Sequence, residues 1–342
     1  MTAALPTVGG LLETLTRRGL TREESAATFA RIVAGELTEI ELAALLAALK
    51  VRGADAATIA GAADAFRRAA LPFPRPTYPF ADTCGTGGDY TGSVNISTAV
   101  AFVAAALGVP VAKHGNRAVS SRCGSADVLE RCGARLDAPP EVSRRALDET
   151  GVCFLFAPLY HAGVRHAMGV RRALATRTVF NLLGPLINPA RPTWQVLGVY
   201  DAAYCRPLAE TLGLLGCHAA LVVHGDGLDE LAVHAPTTAA LLQGGQVTEL
   251  EVTPEEAGLA RHPVAALQGG GPEENAAWLR DLLAGRASDA HADAVALNAG
   301  ALAWIAGKSE SLADGAAAAK TVLAEGHARA QLDRFVEITQ DA

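Results

Sequence analysis

The segment Leu71-Pro72-Phe73-Pro74-Arg75-Pro76 divides the chain into two parts of different character. Three prolines in five residues fix φ and remove backbone donors, so no helix continues through them and the segment reads as a linker. Ahead of it the sequence reads as consecutive helices. Thr21 with Glu24, and Thr38 with Glu41, have the spacing of capping boxes. Each opens an apolar pattern at helical period: Ala27, Phe29, Ile32 and Val33, then Leu42, Leu45, Leu46 and Leu49. Gly19 and Gly35 stand where those helices stop. Residues 56–70 add an Ala-rich helix ending in Arg67-Arg68.

Beyond the linker, short apolar runs alternate with helical patterns. Strands are predicted at 80–84, 109–113, 152–157, 195–200 and 219–224. Helices are predicted at 97–107, 125–132, 140–150, 203–215, 272–284, 288–306 and 309–338. Buried strands separated by helices predict βα units and a mostly parallel sheet. The expected fold class is therefore α/β. A small N-terminal α-helical domain covers 1–70, joined by part of 160–190, and a large α/β domain covers 77–342.

Composition removes several functions. The chain has 29 Lys+Arg against 36 Asp+Glu, a net charge of -7, and only 5% aromatic residues, which argues against nucleic acid as a partner. With 50% hydrophobic and 19% charged residues, it has the material for packed cores and is not disordered. The six cysteines form no C-x-x-C pair, and their irregular spacing suits reduced thiols in a cytoplasmic protein. Met1 to Pro6 does not read as the start of a signal peptide. The uncharged run 96–112 is too short for a membrane span and is broken by Gly108-Val109-Pro110.

Four stretches carry chemistry. The first is Asp82-Thr83-Cys84-Gly85-Thr86-Gly87-Gly88-Asp89, leading to Asn95-Ile96-Ser97-Thr98. Glycines after a strand let a ligand approach the backbone and can aim N–H groups at an anion. Asn95, Ser97 and Thr98 open an apolar helix whose free N–H groups favour phosphate. The loop matches neither Walker A nor G-x-G-x-x-G, and a plain strand–helix turn would look the same. The second runs from Lys113-His114-Gly115-Asn116-Arg117 to Ser120-Ser121-Arg122-Cys123-Gly124-Ser125. No carboxylate interrupts 113–122, and cations beside hydroxyl donors suit phosphate. Ser125 is expected to cap the helix that follows. The third, Val223-His224-Gly225-Asp226-Gly227-Leu228-Asp229-Glu230, ends in adjacent carboxylates. Such a pair either begins a helix or, in a cleft, calls for a hard cation such as Mg²⁺. The fourth holds Pro158, His161 and Arg171, then Arg177 to Pro189. Arg171 can grip a substrate carboxylate in bidentate fashion, while a lone histidine near a turn, such as His161, is more often structural. Cys84 and Cys123 have no evident base and are not read as nucleophiles.

Through these motifs, with Gly124-Ser125-Ala126-Asp127-Val128-Leu129-Glu130 and Gly227-Leu228-Asp229-Glu230, the chain resembles the anthranilate phosphoribosyltransferases of tryptophan biosynthesis. Order and spacing agree over most of its length. The resemblance implies a helical domain plus an α/β domain, usually dimeric through the former. It also implies Mg²⁺-dependent transfer of phosphoribosyl from phosphoribosyl pyrophosphate to the amine of anthranilate. By that likeness Gly85, Gly88, Asp89, Asn95, Ser97, Thr98, Lys113 and Ser125 hold the donor. Gly85, Asn116, Pro158, His161 and Arg171 line the acceptor path, and Ser97, Asp229 and Glu230 hold metal. No single general base is expected.

The chain departs from the family pattern at His161-Ala162-Gly163-Val164, and at Tyr90, Ser93-Val94, Cys123 and Ala175. More of these changes touch the acceptor side than the donor core. Two other readings stand beside the transferase: a nucleoside phosphorylase of the same architecture, and a non-catalytic nucleic-acid-binding relative. Two phosphate-grade loops with an acidic pair favour a pyrophosphate donor over the first. The intact Gly-rich loop and the negative charge disfavour the second.

Overall fold

The computed structural model describes residues 7–89, 91–118 and 122–341. The readings of Met1 to Pro6, Tyr90, Ser120 and Ser121 fall outside these residues. Helices α1 (Val8–Arg17), α2 (Arg22–Ala34), α3 (Glu39–Arg52) and α4 (Ala56–Ala69) precede the linker. Both expected capping boxes form. The Glu24 N–H donates to Thr21 and the Glu24 carboxylate accepts from the Thr21 N–H, with Thr38 and Glu41 repeating the pattern. Each box removes two orphan donors, and an N-cap of this kind contributes about 1 kcal/mol. Gly35 ends α2 in the left-handed region at φ 72.

After the linker come β1 (Ala81–Gly85), α5 (Ile96–Ala106), β2 (Val111–Gly115), α6 (Ser125–Arg131), α7 (Pro140–Thr150) and β3 (Val152–Phe156). Three helices follow: α8 (Ala157–Tyr160), α9 (Arg165–Leu174) and α10 (Phe180–Leu183). Then β4 (Trp194–Gly198), α11 (Cys205–Leu214) and β5 (Ala219–His224) complete the parallel part of the sheet. The hairpin β6 (Thr237–Gln243) and β7 (Gln246–Val252) extends it antiparallel. The chain closes with α12 (Pro272–Leu283), α13 (Asp289–Ile305), α14 (Leu312–Ala324) and α15 (His327–Gln340).

The sheet order is β3-β2-β1-β4-β5-β6-β7. It is mostly parallel, as expected, but the sequence reading did not include the hairpin. The run Ala239-Ala240-Leu241-Leu242 hides the strand alternation, although Gly244-Gly245, both at positive φ, is a two-residue hairpin signal. The helix expected over 309–338 is two helices, because Gly326 at φ 69 separates α14 from α15. The sequence reading also placed no helix at α9.

Two cores flank the sheet. One joins its face to α5 and the C-terminal helices through Val100, Val111, Val196, Leu221 and Leu297. The other joins Leu197, Val199 and Val222 to the helical layer. In that layer Ala167 and Val170 of α9, and Phe180 of α10, share a core with Phe29, Leu45 and Phe66. The rings of Phe29, Phe66 and Phe180 stand 5.7–6.4 Å apart. The carboxyl ends of β1, β2 and β5 therefore face one cleft beside the helical layer, the usual place for a ligand in a parallel sheet.

Candidate active site

The cleft has a volume of about 1190 Å³, and every residue singled out above as a donor, acceptor or metal contact lines it. The first three motifs meet because β1, β2 and β5 run parallel and release their loops at the same edge.

Asp229 and Glu230 do not begin a helix, which removes the simpler explanation for them. They follow the turn after β5 and reach back under the Gly-rich loop. The Gly87 N–H donates to Asp229 Oδ2 at 2.7 Å, and the Ser97 N–H donates to Glu230 Oε1 at 3.2 Å. The approach is possible because two neighbouring positions lack a Cβ. A Cβ on Gly85 would stand 2.1 Å from Asp229 Oδ2, and one on Gly198 would stand 1.5 Å from the Asp229 carbonyl oxygen. Burial, then the charge of Asp89, pushes the Asp229 carboxyl above its ordinary range. Burial, then Asp229, pushes Glu230 up to about 8. Such a pair gains most from a bound cation, which restores both carboxylates to their charged forms. Asp229, Glu230 and the Ser97 hydroxyl offer hard oxygen atoms that could hold Mg²⁺. No cluster of three or more His, Cys, Asp or Glu with metal-binding geometry occurs among the described residues.

Lys113 is 3% exposed, and its Nζ donates to the Thr83 carbonyl at 2.5 Å and to Ser97 Oγ at 3.1 Å. The Thr98 hydroxyl, in the same cleft lining, is buried without a partner. Asn95 precedes α5 but does not cap it. Its amide instead donates to the Cys123 carbonyl and accepts from Asn275, tying the helix start to the second loop.

That loop differs from expectation in two ways. Ser125 does not cap α6 but is its first residue, with Gly124 at the cap position. Asp127 does the capping, accepting from the Gly124 and Ala118 N–H groups at 2.8 and 2.9 Å. The carboxylate-free stretch is also not left uncompensated. Arg117 pairs with Glu130 and Asp127, both supplied by α6, which leaves Lys113 and Arg122 as the other cations that this stretch brings to the cleft.

At the other end of the cleft, His161 is 5% exposed and neither of its ring nitrogens has a hydrogen-bond partner. Its ring meets that of His114 edge-on at 5.1 Å. Burial pushes His161 down to about 4, and burial with the neighbouring His161 pushes His114 down to about 3. Both are neutral at pH 7. Arg171 stacks over Phe180 at 5.2 Å, and burial lowers its pKa. Pro158 lies in α8, and Asn116 accepts from the Arg117 N–H.

The sequence reading missed a polar network under the acceptor end. Asp82 is fully buried, and burial raises its carboxyl despite Lys113 and Asn188 nearby. Asn188 Nδ2 donates to Asp82 Oδ2 and to the Ala112 carbonyl, both at 2.8 Å. Gln195 Nε2 donates to the Pro185 carbonyl at 2.8 Å. An acid inside a predicted buried strand was the available signal, because such residues are seldom buried without partners.

Residues 77–329 match the glycosyl transferase family a/b domain, and residues 11–70 match the helical bundle domain of that family. The chain is 62% identical over 322 residues to an anthranilate phosphoribosyltransferase of Sorangium cellulosum, covering 94% of this chain and 92% of that one. The crystal structure of anthranilate phosphoribosyltransferase from Thermus thermophilus superposes with a TM-score of 0.91 at 48% identity, covering 96% of this chain and 98% of the other. The Saccharomyces cerevisiae anthranilate phosphoribosyltransferase, solved in complex with PRPP and Mg, gives a TM-score of 0.88 at 25% identity over 98% of both chains.

Proposed function

The chain belongs to the anthranilate phosphoribosyltransferases of the glycosyl transferase family, and from that premise we propose how its cleft performs the reaction. The enzyme transfers the 5-phosphoribosyl group of phosphoribosyl pyrophosphate to the amine of anthranilate, releasing pyrophosphate in tryptophan biosynthesis. The observation that carries the site assignment is the meeting, around one glycine loop, of the buried acidic pair and Lys113, with Arg171 at the far end of the same cleft.

The donor lies against Gly85, Gly88, Asp89, Asn95, Ser97, Thr98, Lys113 and Ser125. Its pyrophosphate leaves with much negative charge, and Lys113 with the N–H groups at Gly88 and Asp89 stabilises that charge as it develops. Mg²⁺ held by Asp229, Glu230 and Ser97 would supply the remaining charge neutralisation, and the Mg in the yeast complex supports Mg²⁺ as the ion. Anthranilate enters past Gly85, Asn116, Pro158 and His161, with its carboxylate on Arg171. Its amine is neutral at pH 7 and attacks the ribose carbon without a base. The nitrogen becomes strongly acidic on attack and gives its proton to water. His114 and His161 are neutral there and do not repel the forming cation at the ribose carbon. Positioning is the second large contribution, since reacting atoms must stand about 3–3.5 Å apart.

We divide the chain into a helical unit, 1–70 with α9 and α10, and an α/β unit, the remainder of 77–342. The enzyme acts as a homodimer through the helical unit, in keeping with Ile40 at 83% and Val51 at 89% exposure on α3. It works in the cytoplasm, a setting that suits its free cysteines. No helix among the described residues is long and apolar enough to cross a membrane. The deciding experiment mixes enzyme, Mg²⁺, phosphoribosyl pyrophosphate and anthranilate and follows anthranilate fluorescence. A fluorescence signal that does not fall, or that falls without Mg²⁺, overturns the reading.

A further inference from the structure

Arg177 has no part in the reaction as described, yet it joins three regions of the molecule. Its Nη2 donates to the Gly88 carbonyl. Its guanidinium lies over the Tyr200 ring, 4.0 Å from the centroid. Its own carbonyl accepts from Lys50 Nζ at 2.8 Å, near the end of α3 in the helical layer. Tyr200 also reaches the loop directly, since its N–H donates to Thr86 Oγ1 at 3.1 Å. The Thr86 N–H donates to the Gly198 carbonyl at 2.9 Å, and Gly87 is held by Asp229.

The segment needs such anchors. Gly87 and Gly88 have φ of +67 and +79, and two successive glycines have little conformational preference of their own. Every other residue of the loop up to Gly87 is fixed by β4, its exit or Asp229, whereas the Gly88 carbonyl is fixed by Arg177. The Gly88–Asp89 peptide is trans, so its C=O and N–H point in opposite directions. Holding the carbonyl against the guanidinium therefore turns the Asp89 N–H away from Arg177. A guanidinium suits this task because its plane can stack on Tyr200 while its edge donates; an ammonium offers no flat face and a shorter reach.

We propose that Arg177 is a positioning residue for the donor: it fixes the Gly88–Asp89 peptide so that the Asp89 N–H faces the donor's phosphate oxygens. Through the Lys50 tie, the loop's shape also depends on the seating of the helical layer. The proposal rests on the reading of Gly85–Asp89 as the donor loop.

The test compares Arg177→Lys, Arg177→Ala and Lys50→Met in the full chain, with each substrate varied in turn and thermal unfolding measured. Arg177→Lys should raise the donor KM about tenfold or more, the effect of losing a charged hydrogen bond. The anthranilate KM should stay within roughly twofold. Low-millimolar guanidinium should partly restore the donor KM of Arg177→Ala, and Lys50→Met should raise it by a smaller factor. An unchanged donor KM in Arg177→Lys would overturn the proposal. So would equal rises in both KM values with a lowered Tm, which would mark Arg177 as ordinary packing. Wild-type enzyme that fails to use phosphoribosyl pyrophosphate would instead overturn the donor-loop reading itself.

Discussion

Replacing Gly198 with alanine should disable the enzyme although Gly198 contacts no substrate in the mechanism above. Gly198 ends β4, in register with Gly85 on β1. The new Cβ would stand 1.5 Å from the Asp229 carbonyl oxygen and 2.2 Å from its carbon. A close C···O contact needs about 3.3 Å, so the Asp229 backbone has to retreat by roughly 1.8 Å. That displacement breaks the 2.7 Å bond from Gly87 to Asp229 Oδ2 and moves a proposed metal ligand. A misplacement of about 1 Å at a reacting centre costs roughly 10²-fold. The expected fall in kcat/KM is therefore at least about 10²-fold, or about 2.7 kcal/mol. The overpacking itself should lower stability by about 1–3 kcal/mol. Anthranilate fluorescence gives the first quantity and thermal unfolding the second. Gly9→Ala on α1, where the nearest atom is Thr7 Oγ1 at 3.9 Å, is the control. It should keep full activity and gain about 0.5–1 kcal/mol. A Gly198→Ala enzyme with wild-type kcat/KM would refute the claim that Asp229 is placed through the gap left by that glycine.

Four further outcomes are expected. Arg171→Ala should raise the acceptor KM about 10–100-fold, the range for losing a charged hydrogen bond, with little change for the donor; an unchanged acceptor KM removes Arg171 from the carboxylate. Glu230, pushed up to about 8 when folded, holds a proton that the unfolded chain has lost between about pH 4.5 and 8. Its contribution to stability is therefore present below that window and declines as pH rises through it, and Mg²⁺ must displace the proton. The Mg²⁺ concentration at half effect, read by thermal shift, should fall about tenfold per pH unit below about pH 8 and then level; a midpoint independent of pH counts against Glu230 as a ligand. Asn188→Leu removes donors to Asp82 and Ala112 and an acceptor for the Ala190 N–H, and should cost about 3 kcal/mol, seen as a clear drop in Tm. Ala175 is held at φ 45, where an L-residue is strained by about 1–2 kcal/mol. Ala175→Gly should therefore raise Tm slightly, and a lower Tm would show that the lost chain restriction outweighs the strain.

What could be read before folding was whatever the chemistry concentrates in one stretch. The glycine loop, the Lys113 segment and the Asp229-Glu230 pair each announce themselves within about ten residues, and their strand–loop setting predicts that they meet. Gly198 does not, and although Asp82, Asn188 and Arg177 fall in such stretches, their roles do not show there, because each acts through a partner far along the chain. Arg177 meets Gly88 across 89 positions, and Asn188 meets Asp82 across 106. Arg117 misleads for the same reason: its loop is free of acids, but α6 returns Glu130 onto it. The β6–β7 hairpin was missed where small apolar residues filled both faces of a strand, leaving its glycine turn as the only mark.

Lys113 and His114 are neighbours on β2, yet they serve different ends of the cleft. Successive residues of a strand point to opposite faces, so Lys113 turns toward Thr83 and Ser97 while His114 turns toward Gly184 and His161. The strand is thereby a partition between two substrate environments. On the proposed assignment of donor and acceptor, side chains on the histidine face can change to admit other aromatic amines while the lysine face goes on handling the same donor. Insertion or deletion of a single residue in β2 has no such freedom, because it would exchange the two faces at once.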